Sequence, residues 1–169
     1  GKVILWSDDA TYFYGNISAT GGLQRGDGGF VEVSGKDYLG FFGGVDVAAT
    51  NGKGGTVLLD PASITILSGG DARSTGFTAG SDISELFAND SATATVLNPD
   101  ASGSFDGISA GSTIILQATD FITVSNAFVL ATATGNSNVS LAMQAGGSIN
   151  INANLTIDGT GTLHLEADS

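Results

Sequence analysis

A short pattern that keeps returning limits the fold more than any other feature. Triplets with apolar first and third residues occur at Val3-Ile4-Leu5, Val31-Glu32-Val33, Val57-Leu58-Leu59, Ile114-Ile115-Leu116, Val139-Ser140-Leu141 and Leu163-His164-Leu165. The steps between them are 28, 26, 57, 25 and 24 residues, and the long one is read as two steps with a blurred copy inside. Each triplet but the last is followed by a polar turn and a second alternating segment: Thr11 to Phe13, Tyr38 to Phe41, Ile64 to Ile66, Ile122 to Val124 and Ile149 to Ile151. A third follows in places, at Asn16 to Ser18, Val45 to Val47 and Asn154 to Ile157. Alternation with period two buries one face of a strand and wets the other. Three short strands per repeat of about 25 residues suit neither a sandwich, with strands every 8–12 residues, nor a propeller, with blades of about 40–50.

The expected fold is therefore all-β: a parallel β-helix of about six to seven rungs, forming a rod on the order of 30 Å long. Val3, Val31, Val57, Ile114, Val139 and Leu163 are expected to stack in its core. Residues 1–169 are expected to form one segment of a larger chain, since the first residues begin within a strand pattern. Regular rungs cover 1–66 and 112–169, with an irregular rung over 67–111. Within the Gly-, Ser- and Asp-rich stretch 67–107, Asp82 and Glu85 have the spacing of a capping box. Ile83, Leu86 and Phe87 would give a short helix its apolar stripe.

Glycine numbers 26 and proline 2, which suits many tight turns rather than a disordered linker. Seventeen acids against five bases give a net charge of −12, so nucleic acid is excluded as a partner for want of cations to replace its counterions. Membrane insertion is excluded too, because no apolar run approaches the roughly 20 residues of a spanning helix. Without cysteine the chain has no disulfide, thiolate metal site or thiol nucleophile.

A catalytic groove would need convergent acids and a base. Asp8 and Asp9 are candidates, as are Glu32, Asp46 and Asp60 on neighbouring rungs, but outward acids on strands and Asp in turns are ordinarily solvated or bonded to their own backbone. The single histidine, His164, falls on the outer face of a terminal strand, too little for a triad. No enzyme activity is expected. Ca²⁺ takes six to eight oxygens, and the repeated Gly-Gly-x-Gly-x-Asp motif of calcium-binding rolls is absent, so no cofactor is expected and Ca²⁺ would bind only incidentally. Arg25-Gly26-Asp27, in a glycine-rich loop, spells a tripeptide that many integrins recognise and is the candidate receptor-binding loop. Asn16, Asn89, Asn138 and Asn154 open glycosylation sequons, and outward Asn150, Asn152 and Asn154 offer a polar surface for glycan or protein contact.

Gly28-Gly29-Phe30-Val31-Glu32-Val33-Ser34-Gly35-Lys36, followed by Gly52-Lys53-Gly54-Gly55-Thr56-Val57-Leu58-Leu59-Asp60-Pro61, resembles the filamentous-haemagglutinin-like exoproteins of two-partner secretion. The runs Val3 to Asp9 and Phe13 to Ala19 share the resemblance. It is close over residues 1–66 and looser from Ile114 to Leu165. The resemblance implies a right-handed β-helical passenger, exported through an outer-membrane transporter partner and folding outside the cell. It would lie at the bacterial surface as a structural and adhesive segment, internal or terminal in the shaft. Attachment to host cells, surfaces or other bacteria, and biofilm formation, would use a glycan or protein receptor. The competing expectations are a carbohydrate-active β-helix using Asp8, Asp9 and Asp60, and a passive spacer.

Overall fold

The computed structural model describes residues 1–67, 95–98, 104, 105, 108, 110–130 and 138–168. The first coil runs through β1 (Lys2–Ser7), β2 (Ala10–Phe13) and β3 (Asn16–Ser18), and the second through β4 (Phe30–Gly35), β5 (Tyr38–Phe41) and β6 (Gly44–Asp46). The third has β7 (Thr56–Leu59) and β8 (Ile64–Ile66), and an extra strand, β9 (Thr95–Leu97), comes later in the chain. Two further coils follow: β10 (Thr113–Ala118), β11 (Phe121–Val124) and β12 (Phe128–Leu130), then β13 (Ser140–Ala145), β14 (Ser148–Ile151) and β15 (Leu155–Ile157), with β16 (Leu163–Ala167) last. All pairings among the described residues are parallel, so these residues form an all-β solenoid. The described residues make four complete three-stranded coils, fewer than the six to seven rungs that the triplets suggest.

The first face is one sheet of six strands in the order β1-β4-β7-β10-β13-β16. Its register stacks Val3, Val31, Val57, Ile114, Leu141 and Leu163 in one inward row. Val31, Val57 and Ile114 are completely buried and Leu141 almost so. Val3 packs against the core from the first coil, while Leu163 in the last strand is exposed. The row differs from expectation at one position, because Leu141 takes the place assigned to Val139. Val139 is buried too, just ahead of its strand, and since alternate residues face the same way, spacing alone does not separate them.

The 57-residue step is also corrected: β7 pairs directly with β10, so no blurred copy of the triplet strand stands between them in the six-stranded sheet. The intervening chain instead supplies β9, which pairs with β8 on the side away from β11. On its other flank the Thr95 hydroxyl accepts a hydrogen bond from the Leu39 amide of β5 at 2.9 Å. The second face thus reads β2-β5-β9-β8-β11-β14, with β9 wedged between the second and third coils. Among the described residues the third coil has no third strand, and the third face is two separate ladders, β3-β6 and β12-β15. Phe105 and Ile108 are buried in the core, Phe105 against Phe128 of β12 with ring centroids 4.7 Å apart. The helix expected over Ser81 to Ala88 lies outside the described residues.

Two glycines, Gly28 and Gly55, let the backbone approach closely where coils meet. A Cβ on Gly55 would lie on the Gly29 carbonyl oxygen, and one on Gly28 would lie on that of Val47. The Gly55 amide donates to Val47 and the Thr56 amide to Gly29, so these are the positions where one coil hands over to the next.

A candidate binding face on the six-stranded sheet

Alternation that buries Val, Leu and Ile on the first face turns a second set of side chains outward, and parallel register aligns them into rows along the coil axis. One outward row is Ile4, Glu32, Leu58, Ile115, Ala142 and His164. Beside it runs Trp6, Ser34, Gln117, Gln144 and Glu166, with Asp60 at the corresponding place just past the end of β7. The first row is apolar on the solvent side from Leu58 through Ile115 to Ala142. Glu32 separates this stretch from Ile4, which is 50% exposed, and Trp6 of the second row is 54% exposed. A contiguous apolar stripe edged by polar groups is the kind of surface that marks a contact site.

The polar row carries hydrogen-bonding chemistry. Gln144 donates through Nε2 to Glu166 at 3.0 Å, and His164 lies 3.5 Å from the same carboxylate oxygen. The bond from Gln144, and then that from His164, hold Glu166 below its ordinary carboxylate value. At the end of the row Gln117, Gln144, Glu166 and Asp168 surround a shallow open cleft of about 210 Å³. Ala118 and Ala145 line it.

Of the acids singled out by sequence, Glu32 and Asp60 are brought together. Burial pushes the Asp60 carboxyl above its ordinary value, and the nearby Glu32 charge raises it further. Glu32 in turn accepts a hydrogen bond from the buried Ser34 hydroxyl at 3.2 Å. Asp8 and Asp9 are in the exposed turn after β1. The Asp9 amide donates to Ser7 Oγ and closes the turn, and its carbonyl accepts from the Asp37 and Tyr38 amides of the next coil. Asp46 caps its own turn, Oδ1 accepting from the Ala48 amide. His164 is on the outer face of the last strand, as expected, and exposed.

The Arg25-Gly26-Asp27 loop is exposed, with Gly26 at a φ of 124°. It does not dangle: Asp27 Oδ1 accepts from the Lys53 amide one coil on, at 2.9 Å, so one carboxylate oxygen is occupied. Asn16, Asn150, Asn152 and Asn154 are exposed, whereas Asn138, at a φ of 58°, turns its side chain to cap the Thr160 amide. Asn89 lies outside the described residues. Among the described residues no three His, Cys, Asp or Glu side chains converge as a metal set, and no helix is long and apolar enough to cross a membrane.

Sequence reasoning missed Gln117, Gln144, Glu166 and the cleft. Writing the coils beneath one another in register would have aligned them, because each follows an inward leucine or methionine of the same row. Comparison with known proteins returns no matching family model, no matching curated protein and no matching solved structure.

Proposed function

We propose that the chain is a structural and adhesive segment of a large secreted bacterial surface protein, a right-handed coil of the filamentous-haemagglutinin-like kind. The hand follows from the strong preference of parallel crossover connections. In this reading the chain is exported unfolded through an outer-membrane transporter partner. It then presents its surface to a glycan or protein receptor on host or neighbouring cells. The observation that carries the reading is the unbroken outer face of the six-stranded sheet, where a rigid scaffold displays an apolar stripe beside amides and carboxylates. The test is binding of the purified chain to host epithelial cells and to bacteria expressing the parent protein. Saturable attachment is the expected result, and none to either would leave only a spacer.

A second reading, a carbohydrate-active enzyme, draws on Glu32 and Asp60, two neighbouring acids of which one is pushed toward its protonated form. Release of reducing ends from a polysaccharide panel, lost in Glu32→Gln and Asp60→Asn, would favour it over adhesion.

A further inference from the structure

We propose that the outer face of the six-stranded sheet binds an uncharged, extended polysaccharide laid along the coil axis from β7 to β16. Its rings would rest on Leu58, Ile115 and Ala142, and its hydroxyls would bond Gln117, Gln144 and Glu166. This deepens the adhesive reading and rests on it.

Three observations lead there. First, the two rows are adjacent and different in kind. A pyranose chain is amphipathic in the same way, with C–H faces that suit an aliphatic stripe and hydroxyl edges that need both donors and acceptors. Gln117 is half-buried, and among the described residues its amide makes no hydrogen bond. Gln144 uses one N–H on Glu166, which orients the amide and leaves its carbonyl oxygen and other N–H open. Glu166 is kept ionised by that bond and accepts from hydroxyls.

Second, the spacing selects the ligand class. Successive coils repeat at about 4.8 Å, close to the length of one sugar in an extended chain, so rings stay in step with coils. Alternate rings of a β-1,4 chain present opposite edges, and the glutamine amides, which both donate and accept, suit either. A peptide strand advances about 3.3 Å per residue and drifts out of step within two coils. From β7 to β16 the track is about 14 Å, room for roughly three sugars.

Third, the charge excludes the commoner alternative. Asp60, Glu166 and Asp168 border the track, and the chain carries −12 overall, which repels sulfated or uronic polymers. The cleft beside Gln117 and Gln144, about 210 Å³, is below the usual pocket range and fits one ring edge while the rest of the chain lies on the open sheet. Trp6, at the far end of the same row and 54% exposed, supplies a ring face for a longer ligand.

The test is calorimetric titration of the purified chain with uncharged hexasaccharides, β-1,4-linked glucose, mannose and N-acetylglucosamine, beside a heparin hexasaccharide and a chitosan hexamer. The expected result is saturable binding of at least one uncharged hexamer and none of heparin. Gln117→Ala with Gln144→Ala should raise the Kd about tenfold or more, while Val129→Ala, at an outward position of β12 on the third face, leaves it unchanged. Both Gln side chains point outward, and matching thermal melts establish that the double variant is folded. No binding of any uncharged hexamer, binding indifferent to the double substitution, or chitosan binding alone that disappears in salt would each overturn the proposal. Cell attachment measured on the same preparation separates the two readings: attachment without hexamer binding sinks the polysaccharide and spares the adhesin, and loss of both sinks both.

Discussion

Leu141→Ala and Leu163→Ala remove the same atoms from the same inward row, one coil apart, and should differ several-fold in cost. Leu141 is 1% exposed between Ile114 and Leu163, with fully buried Met143 two residues along. Losing three carbons forfeits about 2.4 kcal/mol at about 0.8 per methylene. Rigid neighbouring coils leave a cavity worth about 1–2 kcal/mol more, giving about 4 kcal/mol, inside the range for buried leucines. Leu163 is already 44% exposed at the open side of β16. Only part of its transfer energy is at stake and no closed cavity forms, so about 1 kcal/mol is expected. Urea titration followed by far-ultraviolet circular dichroism measures both, the midpoint shift multiplied by an unchanged m-value giving the difference. In a melt the variants should lose about 8–16 °C and about 2–4 °C respectively. Equal losses would refute the argument, since Leu163 would then have to be as deeply covered in solution as Leu141.

Thr95→Val takes the acceptor from the Leu39 amide and leaves a buried N–H unpaired, at a cost of about 1–3 kcal/mol, with faster hydrogen exchange at Leu39 as the local signature. Gly55→Ala drives a methyl onto the Gly29 carbonyl and should cost about 1–3 kcal/mol in the same urea assay, far more than an alanine in an exposed turn. Asp60→Asn should stabilise the fold at neutral pH. A carboxyl whose folded pKa exceeds its unfolded value helps the fold when protonated and loses that help as pH rises through the folded pKa, so the gain from asparagine should fade as acid protonates Asp60. Melts across that pH range check the sign, and an advantage that grows in acid would contradict it.

The coil was legible because its core rows are written in the simplest code available, a β-branched or leucine residue at every second position. Val3, Val31, Val57 and Ile114 were placed correctly for that reason. The same code hides a slip of two residues, which is how Val139 stood in for Leu141. The wedge was not legible. Thr95-Val96-Leu97 is an ordinary strand triplet whose position is set by its pairing with β8 and by a hydrogen bond to a residue 56 positions away. Phe105 and Ile108 enter the core from a stretch without periodicity, where no pattern announces burial. The meeting of Glu32 and Asp60 was half legible, as acids on adjacent rungs, while the desolvation that distinguishes Asp60 depends on its covered position past β7.

The wedge of β9 gives the coil a mechanical asymmetry. Pulled from its carboxyl end, a solenoid peels one coil at a time, because each coil leans mainly on its neighbours. Along the core row of this chain the spacings are 28, 26, 57, 27 and 22 residues. An ordinary coil therefore pays out about 90 Å of contour when it lets go. The third coil is pinned to the second by β9 as well as by its own strands, and it holds 57 residues in reserve. Its release lengthens the tether by about 190 Å in one event. In a tethered surface protein that coil would act as a shock absorber, yielding after the two coils outboard of it and extending twice as far.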